Sequence, residues 1–190
     1  VHMLIVDDNS PDGTGEVAEQ LSKSNENLFV LHREAKDGLG PAYIAGFQYA
    51  MEKGYDAVIT FDADFSHPLD GIAVMQEQLK RYDAVIGSRY MYGYRPKHWP
   101  LKRFLLSRNA NFYAKIVSGM KIVDCTGGFN GYTRALLEGV GLDRLKSKGY
   151  VFHFETKFRA FRKGFGMTEF PIEFIDRTDG AVSYTHLRAH

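Results

Sequence analysis

A chain of 190 residues, 44% hydrophobic and 25% charged, is large enough for one domain with its own core, and its profile is globular rather than disordered or fibrous. A formal net charge of +1 gives the molecule as a whole no polyelectrolyte character, so no nucleic-acid partner is expected. The single cysteine, Cys125, excludes an internal disulfide and points to reducing surroundings, and no run reaches the ~18 apolar residues of a membrane span.

The chain opens at Val1-His2-Met3-Leu4-Ile5-Val6, already within a strand over residues 3–6, so a first strand is expected to be missing ahead of it. Asp7-Asp8-Asn9-Ser10-Pro11-Asp12-Gly13-Thr14 then clusters turn and cap residues. A helix is predicted over 15–24, with Val17, Ala18 and Leu21 on one face, and a second strand over 28–31. A loop over 33–40 contains Gly38-Leu39-Gly40. It leads into a helix over 41–53, whose Pro41 suits a first turn. Tyr55-Asp56-Ala57-Val58-Ile59-Thr60-Phe61-Asp62-Ala63-Asp64 reads as a buried strand ending in two carboxylates. A helix over 68–81 spaces Ile72, Met75 and Leu79 for burial, and a strand over 84–86 ends at Gly87-Ser88-Arg89. The alternation predicts an α/β architecture, a mostly parallel sheet with right-handed crossovers and flanking helices.

The second half changes character. Between residues 84 and 123 there is no Asp or Glu, yet Arg89, Arg95, Lys97, Lys102, Arg103, Arg108, Lys115 and Lys121 fall there. A helix is predicted over 100–118, a Gly-rich loop and short strand over 124–133, a helix over 154–163 and a strand over 167–175. Residues 181–190 have neither period, resemble translated sequencing-adaptor sequence and are set aside as non-native.

Ligands of open α/β sheets bind beyond the carboxyl ends of the strands. Asp62 and Asp64 end such a strand, and in extended backbone residues two apart point to one side. Two hard oxygen donors so placed suit Mg²⁺ or Mn²⁺, which completes its shell with water and substrate phosphates. The plainer reading is an acidic turn capping the next helix. Asp7, Asp8 and Asp12 suit hydrogen bonds from a ribose or base, while Asp12 or Thr14 equally suits a helix cap. No Gly-x-Gly-x-x-Gly or Walker loop follows the first strand, which argues against dinucleotide oxidoreductases and P-loop NTPases. Arg89 follows a strand of the same sheet and is expected on the same rim. Trp99, Leu101, Phe104, Leu105 and Phe112 interleave with Lys97, Lys102, Arg103 and Arg108. Such a helix can lie on an anionic membrane, bind a lipid phosphate or nucleic acid, or turn its apolar side to the core. His67 lies near the acidic pair as a supporting group; His153 and Cys125 read as structural.

Taken together these residues resemble the dolichol- or polyprenol-phosphate mannose synthases of glycosyltransferase family 2. The resemblance rests on Asp7 to Thr14, Gly38-Leu39-Gly40-Pro41-Ala42-Tyr43, Asp62-Ala63-Asp64-Phe65-Ser66-His67-Pro68 and Gly87-Ser88-Arg89-Tyr90. Further on it rests on Trp99, Arg103, Ser107, Asn111, Asp124-Cys125-Thr126-Gly127-Gly128-Phe129, Pro171-Ile172 and Arg177-x-x-Gly180. It implies a GT-A fold over residues 1–180, a GDP-mannose donor and a polyprenyl (dolichyl) phosphate acceptor. Asp7 and Asp8, with Asp12 and Gly38 in the same donor segments, would hold the nucleotide. Asp64, with Asp62 and Ser66 beside it, would hold the metal. Arg89 and Arg103 would meet phosphates, Ser107 would lie near the acceptor phosphate, and Arg177 would close over the site. The resemblance also implies work at the cytoplasmic face of a membrane, with a membrane-anchoring subunit or domain as a partner. A UDP-sugar transferase of the same family, an inactive fragment and a non-catalytic lipid-phosphate-binding module are the alternatives. Three departures stand out: a Pro-x-Tyr-Asn-Glu-like segment is absent, Asn130 stands where many members carry Arg, and Ala181-Val182 replaces Ser-Lys.

Overall fold

The computed structural model describes residues 1–147 and 149–176. The expectations for Arg177 and for the tail after Gly180 therefore lie outside the described residues. Among the described residues, six strands and six α-helices follow in the order β1 (Met3–Asp7), α1 (Thr14–Lys23), β2 (Leu28–His32), α2 (Leu39–Glu52), β3 (Ala57–Thr60), α3 (Gly71–Gln78), β4 (Ala84–Ser88), α4 (Leu101–Ser118), β5 (Asn130–Thr133), α5 (Arg134–Val140), α6 (Val151–Arg162) and β6 (Met167–Pro171). β1 and β2 form a parallel ladder from Met3 opposite Leu28 to Asp7 opposite His32. The other four form a sheet in the order β3-β5-β4-β6, with β4 and β6 parallel and β5 antiparallel to both its neighbours.

β4 explains the centre of this sheet. Its five residues are all buried, the near-continuous apolar run of a strand covered on both faces. Successive side chains point to opposite sides. Ala84 and Ile86 join Phe47, Cys125, Tyr132, Leu136 and Phe152 on one face. Val85 joins Met75, Phe129 and Ile172 on the other. Because β5 runs against β3 and β4, its start lies at the rim where theirs end. The loop over residues 124–129 is thereby delivered to the carboxyl ends of both strands.

Two sequence expectations change, and one helix appears where none was predicted. The strand leading to the carboxylates stops at Thr60. Beyond it the backbone turns: Phe65 takes a positive φ of 58°, and Asp64 Oδ1 accepts from the Ser66 amide at 3.1 Å. Val17 and Leu21 of α1 are more than half exposed, and only Ala18 of the three is buried. α1 meets the sheet with its small residues, Gly15 and Ala18, instead of its bulky ones. Finally, α5 follows β5 without a loop: Thr133 caps it, its hydroxyl accepting from the Leu136 amide at 3.3 Å.

β4 also sets a steric limit. A Cβ on Gly87 would lie 2.6 Å from Phe129 Cδ1 and 3.1 Å from Ile172 Cγ2. Gly87→Ala should cost about 1–3 kcal/mol in urea unfolding, the price of an overpacked core.

Candidate active site

The end of β3 carries the first group. Thr60, buried, donates its hydroxyl to the Gly128 carbonyl at 2.5 Å, which pins the loop over residues 124–129 to the strand. Asp62 follows two residues on, in a turn. Its amide donates to His67 Nδ1 at 3.2 Å, and His67 Nε2 lies 3.7 Å from Asp62 Oδ2. Tyr43, from the start of α2, donates its hydroxyl to Asp62 Oδ1 at 3.2 Å. Burial and then the Asp62 charge raise the Tyr43 phenol well above its ordinary value, so it stays a donor. His67 is buried, and burial lowers its pKa against the pull of Asp62 and Asp64. Gly128 passes close under the carboxylate: a Cβ there would come within 3.2 Å of Asp62 Oδ2 and 3.4 Å of His153 Nε2, so a side chain would press on both.

The end of β4 carries the second group. Arg89 grips Asp124 with two parallel bonds, Nε to Oδ2 at 2.7 Å and Nη2 to Oδ1 at 2.8 Å. Asp124 also accepts from the Arg89 amide at 3.1 Å and the Gly127 amide at 2.9 Å. Burial works against both charges, but each outweighs it for the other. Asp124 is held well below the usual carboxylate range and Arg89 is raised further. Under the same loop lies Lys157 of α6, fully buried, its Nζ donating to the carbonyls of Asp124 at 3.2 Å and Gly127 at 2.9 Å. Burial lowers its pKa to about 8. Asn130 Nδ2 adds a third bond to this loop, to the Gly127 carbonyl at 2.9 Å.

α4 supplies the third group. Its inward face is polar: Asn111 accepts from the Cys125 amide at 2.7 Å and donates to Thr126 Oγ1 at 3.1 Å. Ser107 Oγ and the Tyr90 hydroxyl share a bond of 2.7 Å. Arg103 pairs with Asp176 at 2.7 Å and lies 4.0 Å above the Trp99 ring, which Arg89 also approaches at 5.7 Å. The aromatic layer therefore joins Arg89 to Arg103.

Asp7, Asp8 and Asp12 form a separate acidic group at the end of β1. Asp7 is buried, receives the Ser10 amide and lies 3.7 Å from His32 Nδ1. It lines a cavity of about 330 Å³ with Ser10, Glu16, Glu19 and His32. Asp8 pairs with Arg33 at 2.5 Å. Asp12 accepts from the amide and hydroxyl of Thr14, a local turn; the cap position of α1 falls to Gly13, without a side-chain cap bond, so neither Asp12 nor Thr14 caps the helix as the sequence suggested. Gly38 precedes α2 with a φ of 102°, a left-handed conformation that favours glycine.

Among the described residues no three or more His, Cys, Asp or Glu side chains gather into a cage for a metal ion. Asp62 and Asp64 remain a pair of hard oxygen donors in one turn. They fit an ion that takes one or two protein carboxylates and completes its shell from water and phosphate. Ser66 is buried in the same turn with its Oγ unpartnered among the described residues. Tyr43, Asp124 and Lys157 were not singled out as site residues from the sequence. Tyr43 and Asp124 stood inside quoted motifs, and a lysine among the aromatics of the predicted helix over 154–163 was the one signal for Lys157.

The chain path is shared with solved structures. A crystal structure of glucosyl-3-phosphoglycerate synthase from Mycobacterium tuberculosis, in complex with Mn²⁺, uridine diphosphate and glucosyl-3-phosphoglycerate, matches with a TM-score of 0.68 at 16% identity. The match covers 95% of this chain and 62% of that one, so this chain spans under two thirds of its length. The fold is GT-A, an α/β sheet flanked by helices. The sequence model for Glycosyl transferase family 2 matches residues 1–141, and the chain belongs to that family of glycosyltransferases. A polyprenol monophosphomannose synthase of Mycolicibacterium smegmatis is 40% identical over 95% of this chain and 69% of its own length. An undecaprenyl-phosphate mannosyltransferase of Micrococcus luteus is 40% identical over 94% of this chain and 73% of its own.

Two outcomes follow from the buried charges. Asp124→Asn removes one partner and leaves Arg89 buried without its counter-charge, which should cost about 3–5 kcal/mol in urea unfolding. Burial, aided by Lys157 and Arg89, lowers His153 to about 3 from an ordinary value of 6.5. Between those values the unfolded chain binds the extra proton, so stability falls as pH drops from about 6.5 towards 3. Asp124, with its lowered pKa, adds loss in the same direction only below its ordinary 3.8. The melting temperature of His153→Gln should thus fall less from pH 7 to 5 than that of the parent, the remaining loss coming from His67, which burial also lowers.

Proposed function

We propose that this glycosyltransferase moves mannose from GDP-mannose to a polyprenyl (dolichyl) phosphate, giving polyprenyl-phosphate mannose and GDP. The reading is carried by the two relatives, a polyprenol monophosphomannose synthase and an undecaprenyl-phosphate mannosyltransferase, each 40% identical over nearly the whole chain. The choice of GDP as the donor nucleotide leans on the resemblance of Asn9-Ser10-Pro11-Asp12 to the mannose group.

In this proposal Asp7 and Asp8, with Asp12 and Gly38 close by in sequence, receive the nucleoside. Asp62 and Asp64, with Ser66 beside them, hold Mg²⁺ or Mn²⁺. When bound, the ion offsets negative charge on the diphosphate as its bond to the sugar breaks. Tyr43 and His67 fix the Asp62 carboxylate from two sides. Arg89 serves the same charge through its fork with Asp124, which holds the amides of residues 124–128 at the rim. Arg103 and Ser107 receive the acceptor phosphate, which competes with Asp176 for the Arg103 guanidinium. A phosphate monoester has a second pKa of about 6, so its oxygen attacks without a strong base, and the leaving electron pair goes to GDP. Arg177, outside the described residues, keeps the closing role its motif implies. The lipid acceptor sets the work at a membrane, proposed as its cytoplasmic face, with an anchoring subunit or domain as partner. No helix among the described residues is long and apolar enough to cross a membrane.

The test supplies radiolabelled GDP-mannose, and separately UDP-glucose, with a polyprenyl phosphate in detergent and Mn²⁺. Label should enter the lipid from GDP-mannose, stop with a chelator and return with Mn²⁺ or Mg²⁺. Asp64→Ala, melting like the parent, should lower transfer about a hundred-fold or more. Transfer from the UDP-sugar alone would overturn the donor, and near-normal turnover by folded Asp64→Ala would overturn the metal role.

A further inference from the structure

Lys157 is a cation in an aromatic helix. It is fully buried on α6, whose Phe152, Phe154, Phe158 and Phe161 pack into or against the main core. Taking an ammonium out of water is costly, and an apolar side chain of similar length would fill the space without that cost. The loop over residues 124–129 has other side chains to fix its path. Glu169 of β6 accepts from the Val123 amide at 2.6 Å and the Asp124 amide at 3.2 Å. Arg89 holds the Asp124 carboxylate, and Asn130 Nδ2 donates to the Gly127 carbonyl. What Lys157 adds is a positive charge 2.9 Å from that same carbonyl. The charge has a direct path to the rim. No peptide bond among the described residues is cis, and a trans peptide sets its N–H opposite its C=O. The Gly127 carbonyl accepts from Lys157, so the Gly128 N–H points to the other side of the loop. Gly128 is half-buried beside Asp62, and its amide donates to no backbone carbonyl among the described residues. A cation at the carbonyl of a peptide polarises it and makes the N–H of the same peptide a stronger donor.

We infer that Lys157 is a positioning residue for the transfer: its ammonium, acting through the Gly127–Gly128 peptide, strengthens the Gly128 N–H as a donor to negative charge that develops beside Asp62. That this charge belongs to a departing diphosphate rests on the proposed reaction. Donors fixed in place before the reaction stabilise developing charge without reorganising. The titratable and charged groups around Lys157 are Asp124 and Cys125 of the loop, Arg89 at the end of β4, Glu169 of β6 and His153 one turn back on α6. Asp124 is held at about 2 and stays paired with Arg89, burial pushes the Cys125 thiol up to about 11, and His153 lies at about 3. Burial brings Lys157 itself down to about 8. A neutral amine would keep both hydrogen bonds to the loop, so titrating Lys157 separates the charge from the bonds.

The experiment compares the parent with Lys157→Met, which keeps the length of the side chain without its charge, and Lys157→Arg, whose charge does not titrate. Circular dichroism and melting check the fold of both. Amide spectra of isotope-labelled protein, with no donor or acceptor present, follow Gly128 from about pH 7 to about 9.5. In the parent the Gly128 proton should shift with an apparent pKa of about 8, and in Lys157→Met that step should vanish. At saturating GDP-mannose and polyprenyl phosphate, Lys157→Met should lower kcat about ten-fold and leave both KM values unchanged. The kcat of the parent should decline above about pH 8, and that of Lys157→Arg should stay level. A loss confined to KM, or a lowered melting temperature with kcat at the parent level, overturns the inference. So does a parent Gly128 proton indifferent to pH across this range. Where a variant fails to fold, the Gly128 titration and the pH profile of the parent decide by themselves. If the parent transfers no label with any donor or acceptor, the proposed reaction falls, while the Gly128 titration still decides whether the charge of Lys157 reaches the rim.

Discussion

The site stands on a salt bridge taken out of water. Removing an ion pair from solvent costs several kcal/mol per ion and is offset only when geometry and extra hydrogen bonds satisfy both groups. Asp124 meets that condition with four donors on its two oxygens: the Arg89 amide, Nε and Nη2, and the Gly127 amide. Lys157 and Asn130 then hold the carbonyls of the same loop from below. The result is a polar knot with little freedom. It fixes where Gly128 passes under Asp62, and through the rings of Tyr90 and Trp99 it reaches α4.

α2 couples this half of the molecule to the β1–β2 ladder. A Cβ at Gly46 would lie 3.4 Å from Val6 Cγ2, so the helix lies close on β1. Phe47, one residue on, packs into the main core against Tyr132 and Phe152. Tyr43, one turn earlier, reaches Asp62. One helix therefore touches the strand that bears the first acidic group and the carboxylate that bears the second. The two groups the resemblance assigns to nucleotide and metal share a rigid element, though they lie on different ladders.

The alternation of strands and helices was legible because β-branched runs and glycine punctuation are local signals. The strand ending before the carboxylates, the helix opened near Pro41 and the small central strand at Ala84 all needed only neighbours in sequence. A short strand at β5 was legible, but its antiparallel direction was not, because that follows from its place between β3 and β4 and not from Asn-Gly-Tyr-Thr itself. The outward Val17 and Leu21 misled for a related reason: a moment shows that a helix has a face, not which way it turns. The carboxylates of the site could be named from their position after a strand. Their partners could not, because Tyr43, Asp124 and Lys157 arrive from α2, a distant loop and α6, and only folding brings them together.

The strand order also bears on how the chain acquires its structure. β1 and β2 pair across a short span, with α1 between them, and that ladder can close as soon as residue 32 is available. β4 is wholly buried and, among the described residues, pairs with no strand before it in sequence. Its partners are β5, beginning at residue 130, and β6, beginning at residue 167. Closing such long spans is entropically slow relative to local pairing. During synthesis this fully buried strand must therefore wait about forty-five further residues for its first partner and about eighty for its second. The knot of Asp124 and Lys157 is subject to the same delay, so the catalytic rim is among the last parts of the molecule to take its shape.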